Sequence, residues 1–289
     1  MKILCTDLDN TLIYSYKHDI GIQKRNVEIY QGREISYITD KTYNLLKKVK
    51  KEYLIIPTST RTEEQYKRID LGIGKFRYAL VCNGGVLLVN GCRDLEWYEE
   101  SKKLIQTSTE EINRSLAYLE KDNRRKFELR FIEDLFVFTK CEYPLEVVNE
   151  LKTYLNNELV DIFSNGEKVY VVPAMLSKGN AIKRLRKYLG FDKIMAAGDS
   201  EFDVSMVQEA DIGIVPFGFK EKYKIKSDIS EMAKNKIFSE AVLEKCLSLW
   251  LHIFKEMFSS IKLEIRGLRI NYIDWRKNLE NTNANYGQN

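Results

Sequence analysis

The chain has 289 residues, 44% of them hydrophobic and 30% charged, a length at which single cores stop growing and two domains are favoured. A net charge of +4 with no dense basic run argues against a nucleic-acid partner, and no uninterrupted apolar run approaches the length of a membrane span. Five cysteines, odd in number and without CxxC spacing, argue against a disulfide framework or a zinc site; with no signal peptide ahead of Asp7, the expected location is the cytoplasm.

Lys2-Ile3-Leu4-Cys5-Thr6 reads as a buried strand of a parallel sheet that runs directly into Asp7-Leu8-Asp9-Asn10-Thr11. Open α/β sheets place their ligands just past the carboxyl ends of such strands. Acids at i and i+2 on an extended segment point the same way, so Asp7 and Asp9 can reach one cation or one reacting group. The competing reading is a solvated turn, for which Asp-Leu-Asp-Asn is good chemistry.

Residues 16 to 38 are polar and aromatic with no clean period. Thr39 or Asp40 then caps a helix to Glu52 whose apolar face is Leu45, Leu46 and Val49. Tyr53 to Pro57 is a second buried strand, followed by Thr58-Ser59-Thr60-Arg61 and a helix over about 62–71. Tyr78 to Cys82 is a third strand, ended by Asn83-Gly84-Gly85, where a domain boundary is expected.

Residues 84–173 change character, with a hairpin region through Trp97, helices over about 108–122 and 144–157, and strands near 126–132, 135–140, 159–164 and 167–172. Asn165-Gly166 is a strong hairpin signal within this α+β insertion. The insertion is net −5 while the rest of the chain is net +9, which predicts solvated acidic helix faces. After Pro173 the parallel pattern resumes. Ser177 caps a helix from Lys178 to about Leu189, a strand over 193–197 ends in Gly198-Asp199-Ser200, a helix covers about 201–209, and 211–215 is another strand. Residues 239–258 have helical spacing, with Val242, Leu243, Cys246, Trp250, Phe254 and Met257 as core positions. The Asn-rich tail from 259 to 289 reads as partly disordered. The expected fold class is therefore α/β, a Rossmann-like doubly wound parallel sheet formed by 1–83 and 174–258 with an inserted α+β cap at 84–173.

Asp7 and Asp9, Ser59 with its neighbours, Lys178, and Asp199 with Asp203 all follow strands or open helices of one sheet, so they can converge. Four carboxylates can share a hard cation such as Mg²⁺, which keeps open positions for phosphate oxygens, while a lysine and hydroxyl or backbone donors complete a phosphate cradle. An Asp can then attack phosphorus while a second acid serves the leaving oxygen and the incoming water.

In their order, DLDNT, Ser59, Lys178 and GDSEFD resemble the four motifs of the haloacid dehalogenase superfamily. The place of the insertion and Asn83-Gly84-Gly85 resemble its Cof-like, subclass IIB members. Tyr14-Ser15 and the run Pro57 to Thr62 further resemble members found in bacterial tellurium-resistance gene clusters. The resemblance implies a Mg²⁺-dependent phosphatase acting on a small phosphorylated metabolite, a sugar phosphate or nucleotide. It implies Asp7 as nucleophile, Asp9 as acid/base, and Asn10, Thr11, Ser59, Thr60 and Lys178 at the phosphoryl group. On the metal it places Asp7, Asp199 and the Asp9 carbonyl oxygen, supported by Asp203. Thr60 and Phe202 depart from the family's usual Gly and Asn. Arg61 reaches substrate, forms a structural ion pair or is a solvated helix start, and His18 and His252 read as structural or exposed. The alternative functions are a phosphate-binding regulatory module with little turnover and a phosphomutase.

Overall fold

The computed structural model describes residues 2–191, 193–225 and 229–249. Residues up to 245 form one unit and those from 246 belong to a second. The tail 259–289 and the positions past 249 of the helix expected at 239–258, including His252, lie outside the described residues.

β1 (Lys2–Thr6) is buried on both faces, as a central parallel strand must be. It is followed by a small antiparallel sheet of β2 (Tyr14–Ser15), β3 (Lys24–Tyr30) and β4 (Arg33–Thr39), in the order β2-β4-β3. The sequence shows no period here because the β3–β4 register slips on both sides of Glu28, leaving Val27 and Glu28, adjacent residues, both buried. We call this hairpin the flap. α1 (Asp40–Glu52) starts at Thr39, whose hydroxyl accepts from Thr42 N at 2.9 Å, and returns the chain to β5 (Tyr53–Pro57). α2 (Glu63–Lys67) opens with a Thr62–Gln65 capping box and is shorter than the expected 62–71. Its extension is pre-empted by the flap, since Asp70 N donates to Val27 O at 2.8 Å.

β6 (Tyr78–Val81) is the expected third strand; it meets the end of β5 through a parallel bridge between Thr58 and Leu80 and pairs antiparallel with β7 (Val86–Val89), which pairs with β8 (Cys92–Arg93). Leu87 and, from α3 (Leu95–Leu104), Trp97 pack in one cluster with Ile3, Ile182 and Ile194. The insertion expected from residue 84 thus shares 86–104 with the core: Leu87 and Trp97 pack there, whereas Val86 and Leu88 pack with Leu135, Phe136 and Val172.

The α+β body begins with α4 (Thr109–Glu120) and continues through β9 (Arg130–Ile132), β10 (Phe136–Lys140), α5 (Pro144–Tyr154), β11 (Val160–Asn165) and β12 (Lys168–Pro173). Its strands form an antiparallel sheet in the order β11-β12-β10-β9. One face packs on the two helices through Val137, Val169 and Val171 against Ile112, Leu119 and Leu151. Strand alternation sends the intervening residues to the other face, where Arg130, Phe138, Tyr170 and Phe163 make one register row and Lys140, Lys168 and Asn165 the next.

The chain then returns through α6 (Lys178–Leu189), β13 (Ile194–Ala197), α7 (Val204–Glu209), β14 (Ile212–Val215), α8 (Phe219–Lys222) and β15 (Ser230–Glu231). The resulting five-stranded sheet, β15-β14-β13-β1-β5, is parallel throughout, which is the expected α/β core. The chain leaves β1 toward β5 and comes back to β13 on its other side, so the carboxyl end of β1 is the switch point where such sheets open a crevice. Residues 238–249 are helical, and Ser239 N donates to the Tyr14 hydroxyl at 2.9 Å, tying the base of the flap. Among the described residues no helix is long and apolar enough to cross a membrane.

Candidate active site

Asp7 leaves β1 with its backbone N bonded to Ala197 O at 2.8 Å. Beyond it the chain turns tightly: Thr11, Leu12 and Ile13 all donate backbone N–H to Leu8 O, and Asn10 takes a positive φ of 59° that asparagine tolerates. Buried Leu8 and Leu12 anchor this turn from below. Thr11 faces the fourth motif, its hydroxyl donating to Asp199 Oδ1 at 3.1 Å.

Lys178 is the first residue of α6 and fully buried. Its Nζ donates to Asp7 Oδ1 and to Asp203 Oδ1, each at 2.6 Å. The second oxygen of Asp203 accepts from Asp199 N at 3.1 Å, Ser200 N at 2.9 Å and Ser200 Oγ at 2.7 Å. Both Asp203 oxygens are therefore committed to holding the loop and the lysine. Gly198 makes room for this, since a Cβ there would lie 2.3 Å from Asp203 Cβ.

Carboxylate oxygens of Asp7, Asp199 and Asp203 lie within 4.8 Å of one another. Burial pushes the Asp7 carboxyl well above its usual range despite Lys178, and Asp203, Asp199 and Asp9 push it further. Burial with Asp203 raises Asp199 to about 7, against the Thr11 hydrogen bond and Lys178. Burial pulls the Lys178 ammonium down, but Asp203 and Asp7 more than reverse this and hold it charged. Three acids against one lysine leave excess negative charge among oxygen donors, which suits a hard divalent cation.

Asp9 is placed differently. Burial would raise its carboxyl, but the hydrogen bonds and charge of Arg61 hold it below the ordinary value. Arg61 grips it with a two-pronged fork, Nε to Oδ2 and Nη2 to Oδ1, both at 2.7 Å. Of the readings open for Arg61, the structure shows the ion pair. Nη1 donates to Glu28 Oε1 at 2.8 Å and to Gln65 O at 3.4 Å, and no sequence motif marks Glu28.

Ser59 is buried behind the site, with its N bonded to Leu80 O at 2.8 Å and its Oγ accepting from Arg61 N at 3.2 Å. Asn10 and Thr60 line the open space together with Asp7, Asp9, Lys178 and Asp199. That space is a cavity of about 450 Å³ between the sheet, the flap and the α+β body, which contributes Arg130, Phe138, Lys168 and Tyr170.

Phe202, the departure in the fourth motif, closes one side. Its ring meets Phe163 at 4.4 Å and Tyr170 at 5.0 Å, edge-on to both. Phe202→Asn should therefore cost about 1–3 kcal/mol, the sum of two aromatic pairs at about 0.5–1.5 kcal/mol each, read as a lower urea midpoint. An unchanged midpoint would show that these rings add no stability.

A parallel sheet with acids past its central strands, a lysine opening α6 and an α+β roof defines an α/β protein with an acidic cluster of Asp7, Asp199 and Asp203 at its crevice. The family model of the haloacid dehalogenase-like hydrolases matches residues 88–229 of the chain. A phosphoglycolate phosphatase of Sulfurisphaera tokodaii is 28% identical over 172 residues, 58% of this chain and 68% of that one. Among solved structures, the sucrose-phosphatase of Synechocystis sp. PCC6803 superposes with a TM-score of 0.62 at 16% identity, covering 86% of this chain and 97% of that one. A subclass IIB sugar phosphatase superposes at 0.52 and 15% identity, covering 86% and 99%. At these identities the superpositions show a shared fold. The further resemblance to members from tellurium-resistance clusters rests on Tyr14-Ser15 and residues 57–62 alone.

Proposed function

We propose that the protein is a phosphatase that hydrolyses a small phosphorylated metabolite, of sugar-phosphate or nucleotide type, through an aspartyl-phosphate on Asp7. The observation that carries this reading is Lys178 bridging Asp7 and Asp203 at 2.6 Å inside a walled cavity, with Asp199 beside them. Lys178 occupies Asp7 Oδ1, which fixes the carboxylate and leaves Oδ2 to attack phosphorus. As the Asp7 O–P bond forms and the ester P–O bond breaks, the departing oxygen takes a proton from Asp9, which must first leave the Arg61 fork and take that proton up from solvent water. Asp9 then takes a proton from the water that attacks phosphorus and frees Asp7. The Lys178 ammonium offsets charge on the phosphoryl oxygens, with Asn10 and Thr60 at the rim as further donors.

Asp7, Asp199 and the Asp9 carbonyl oxygen would hold Mg²⁺, with Asp203 fixing the loop. What a bound Mg²⁺ supplies there is charge compensation, without which the carboxylates repel a phosphate dianion. Excess chelator should therefore abolish turnover and Mg²⁺ restore it; full activity in chelator would refute the metal assignment. In the cap, Phe138, Tyr170, Arg130 and Lys168 face what is attached to the phosphate. The catalytic core is then 1–83 with 174–258, as expected from the sequence, joined by Leu87 and Trp97 of the 84–173 insertion, whose remainder selects the leaving group.

A second reading, a phosphate-binding module with little turnover, is favoured by the Arg61 fork, which holds Asp9 as a carboxylate. A panel of phosphate esters assayed with Mg²⁺ separates the two. Turnover of at least one small ester supports the phosphatase, and phosphate binding without turnover of any supports the module.

A further inference from the structure

We infer that Lys168 of the α+β body binds a second anionic group on the substrate, so that the ester hydrolysed is a phosphorylated acid or a bisphosphate rather than one with an uncharged leaving group. The inference rests on the phosphatase reading above and narrows its substrate. The other Lys and Arg side chains that line the cavity already have acids: Arg61 and Arg68 hold Glu28, Arg130 holds Glu128, and Lys178 holds Asp7 and Asp203. Lys168 lines the same space and is exposed to it, and among the described residues no acid is paired with it. A cation left without an acid where its neighbours each have one is open to an anionic ligand.

The sheet makes this position costly to leave empty. Register sets Lys168 of β12 directly opposite Lys140 of β10 on one side and Asn165 of β11 on the other. Like charges directly opposite one another destabilise a ladder, and such departures from local rules gather at functional sites. Lys140 rests its ammonium over the Phe127 ring, 5.2 Å from the centroid, which leaves Lys168 as the lysine of the pair that lines the cavity. Burial pulls the Lys168 ammonium below its ordinary value, Asp9 opposes this, and Lys140 and Arg61 add to it. A sugar hydroxyl would give Lys168 a hydrogen bond but would leave the two ammoniums uncompensated, whereas an anionic group offsets both. Its place also says which part of the substrate it meets. Lys178 is bonded to Asp7, where phosphorus is attacked, while Lys168 comes from the α+β body and acts on Asp9, the acid that serves the departing oxygen. The second anion is therefore carried by the leaving group. Phe138 and Tyr170, two residues along each strand, line the cavity beside it and give the carbon skeleton an apolar wall.

The competing role is a solvated rim lysine, which draws in every phosphate ester alike. The test compares kcat/KM of the full chain, at fixed free Mg²⁺, within two pairs of esters that differ by one charged group. For a carboxylate the pair is 3-phosphoglycerate against glycerol 3-phosphate, and for a phosphate it is glucose 1,6-bisphosphate against glucose 6-phosphate. The wild type should favour the charged member of at least one pair by about tenfold or more, the scale of a hydrogen bond to a charged group, and the pair that shows it identifies the anion. Lys168→Gln should lower that preference by about tenfold, whereas Lys168→Arg, which keeps the charge, should retain most of it. If Lys168→Gln does not fold, raising the salt from about 0.05 M to about 0.5 M should lower the wild-type preference severalfold, because screening weakens a cation at an open rim. Equal kcat/KM within both pairs, or a preference that Lys168→Gln or added salt leaves intact, would overturn the proposal while the phosphatase reading stands. No turnover of any of the four esters would refute that reading, and the role of Lys168 with it.

Discussion

Asp7→Asn is expected to abolish turnover of p-nitrophenyl phosphate and to leave the protein at least as stable as the wild type. An amide cannot serve as the attacking carboxylate, so no aspartyl-phosphate forms, and neither a burst of p-nitrophenol nor trapping by beryllium fluoride should be seen. The fold survives because the amide oxygen of Asn can still accept from Lys178 Nζ, the contact that Asp7 Oδ1 makes at 2.6 Å. Stability is kept because Asp7 is charged at a cost: burial, with Asp203 and Asp199 close by, raises its carboxyl well above the ordinary range even beside Lys178. In metal-free buffer, removing that charge relieves the crowding, and the melting temperature should hold or rise. A variant with near wild-type kcat would rule out covalent catalysis by Asp7. One with a strongly lowered melting temperature would show that the charge is needed for folding.

Lys178→Met should have the opposite signature, losing both activity and stability. The side chain is fully buried and is a partner of both Asp7 and Asp203, so removing its ammonium leaves two buried carboxylates uncompensated. Breaking a buried pair in this way costs about 3–5 kcal/mol, which should appear as a clear fall in the denaturant midpoint. Activity should fall by about 100-fold or more in kcat/KM, the usual scale for losing one preorganised donor. Methionine keeps the volume, so the loss reports the charge. Unchanged kcat/KM would remove Lys178 from the chemistry.

The core was readable because its strands are short apolar runs ending in polar residues. Lys2–Thr6, Tyr53–Pro57 and Ile194–Ala197 are buried on both faces and need no alternation to be seen. The helix expected from Lys178 to Leu189 has those bounds, set by Ser177 at one end and left-handed Gly190 at the other. Tyr78–Val81 was found in the same way, but an apolar run does not reveal its partners, and its ladder with Val86–Val89 is antiparallel. The flap was missed because period-two reasoning assumes a regular ladder, and the irregularity at Glu28 puts two neighbouring residues on one side. Its turn, Gln31-Gly32, has positive φ at both positions but lacks the Asn-Gly that announces such hairpins.

The site was legible as far as its motifs extend. Asp7, Lys178, Asp199 and Asp203 are brought together, and Asn10 and Thr60 face the cavity. Glu28 carries no motif, and only its burial between Arg61 and Arg68 marks it. The charge of the insertion was a poor guide for a related reason. Its net −5 is an average, whereas the sheet face turned to the cavity carries Arg130, Lys140 and Lys168. Arg130 is paired there with Glu128 at 2.9 Å, so the face carries Lys140 and Lys168 beside one ion pair.

Phe202 stands between Asp199 and Asp203 in sequence and against Phe163 and Tyr170 of the insertion in space. The turn that presents the acids and the seal that shuts the cavity are thus one piece of chain. Any movement of the roof that parts those rings pulls on the turn, and any change in how the turn is held is felt at the seal. Were a cation on the acids to tighten that turn, reciprocity would make the ring contacts favour the cation by the same factor that the cation favours them. A residue that interrupts a familiar motif would serve here as the mechanical link between loading the site and enclosing it.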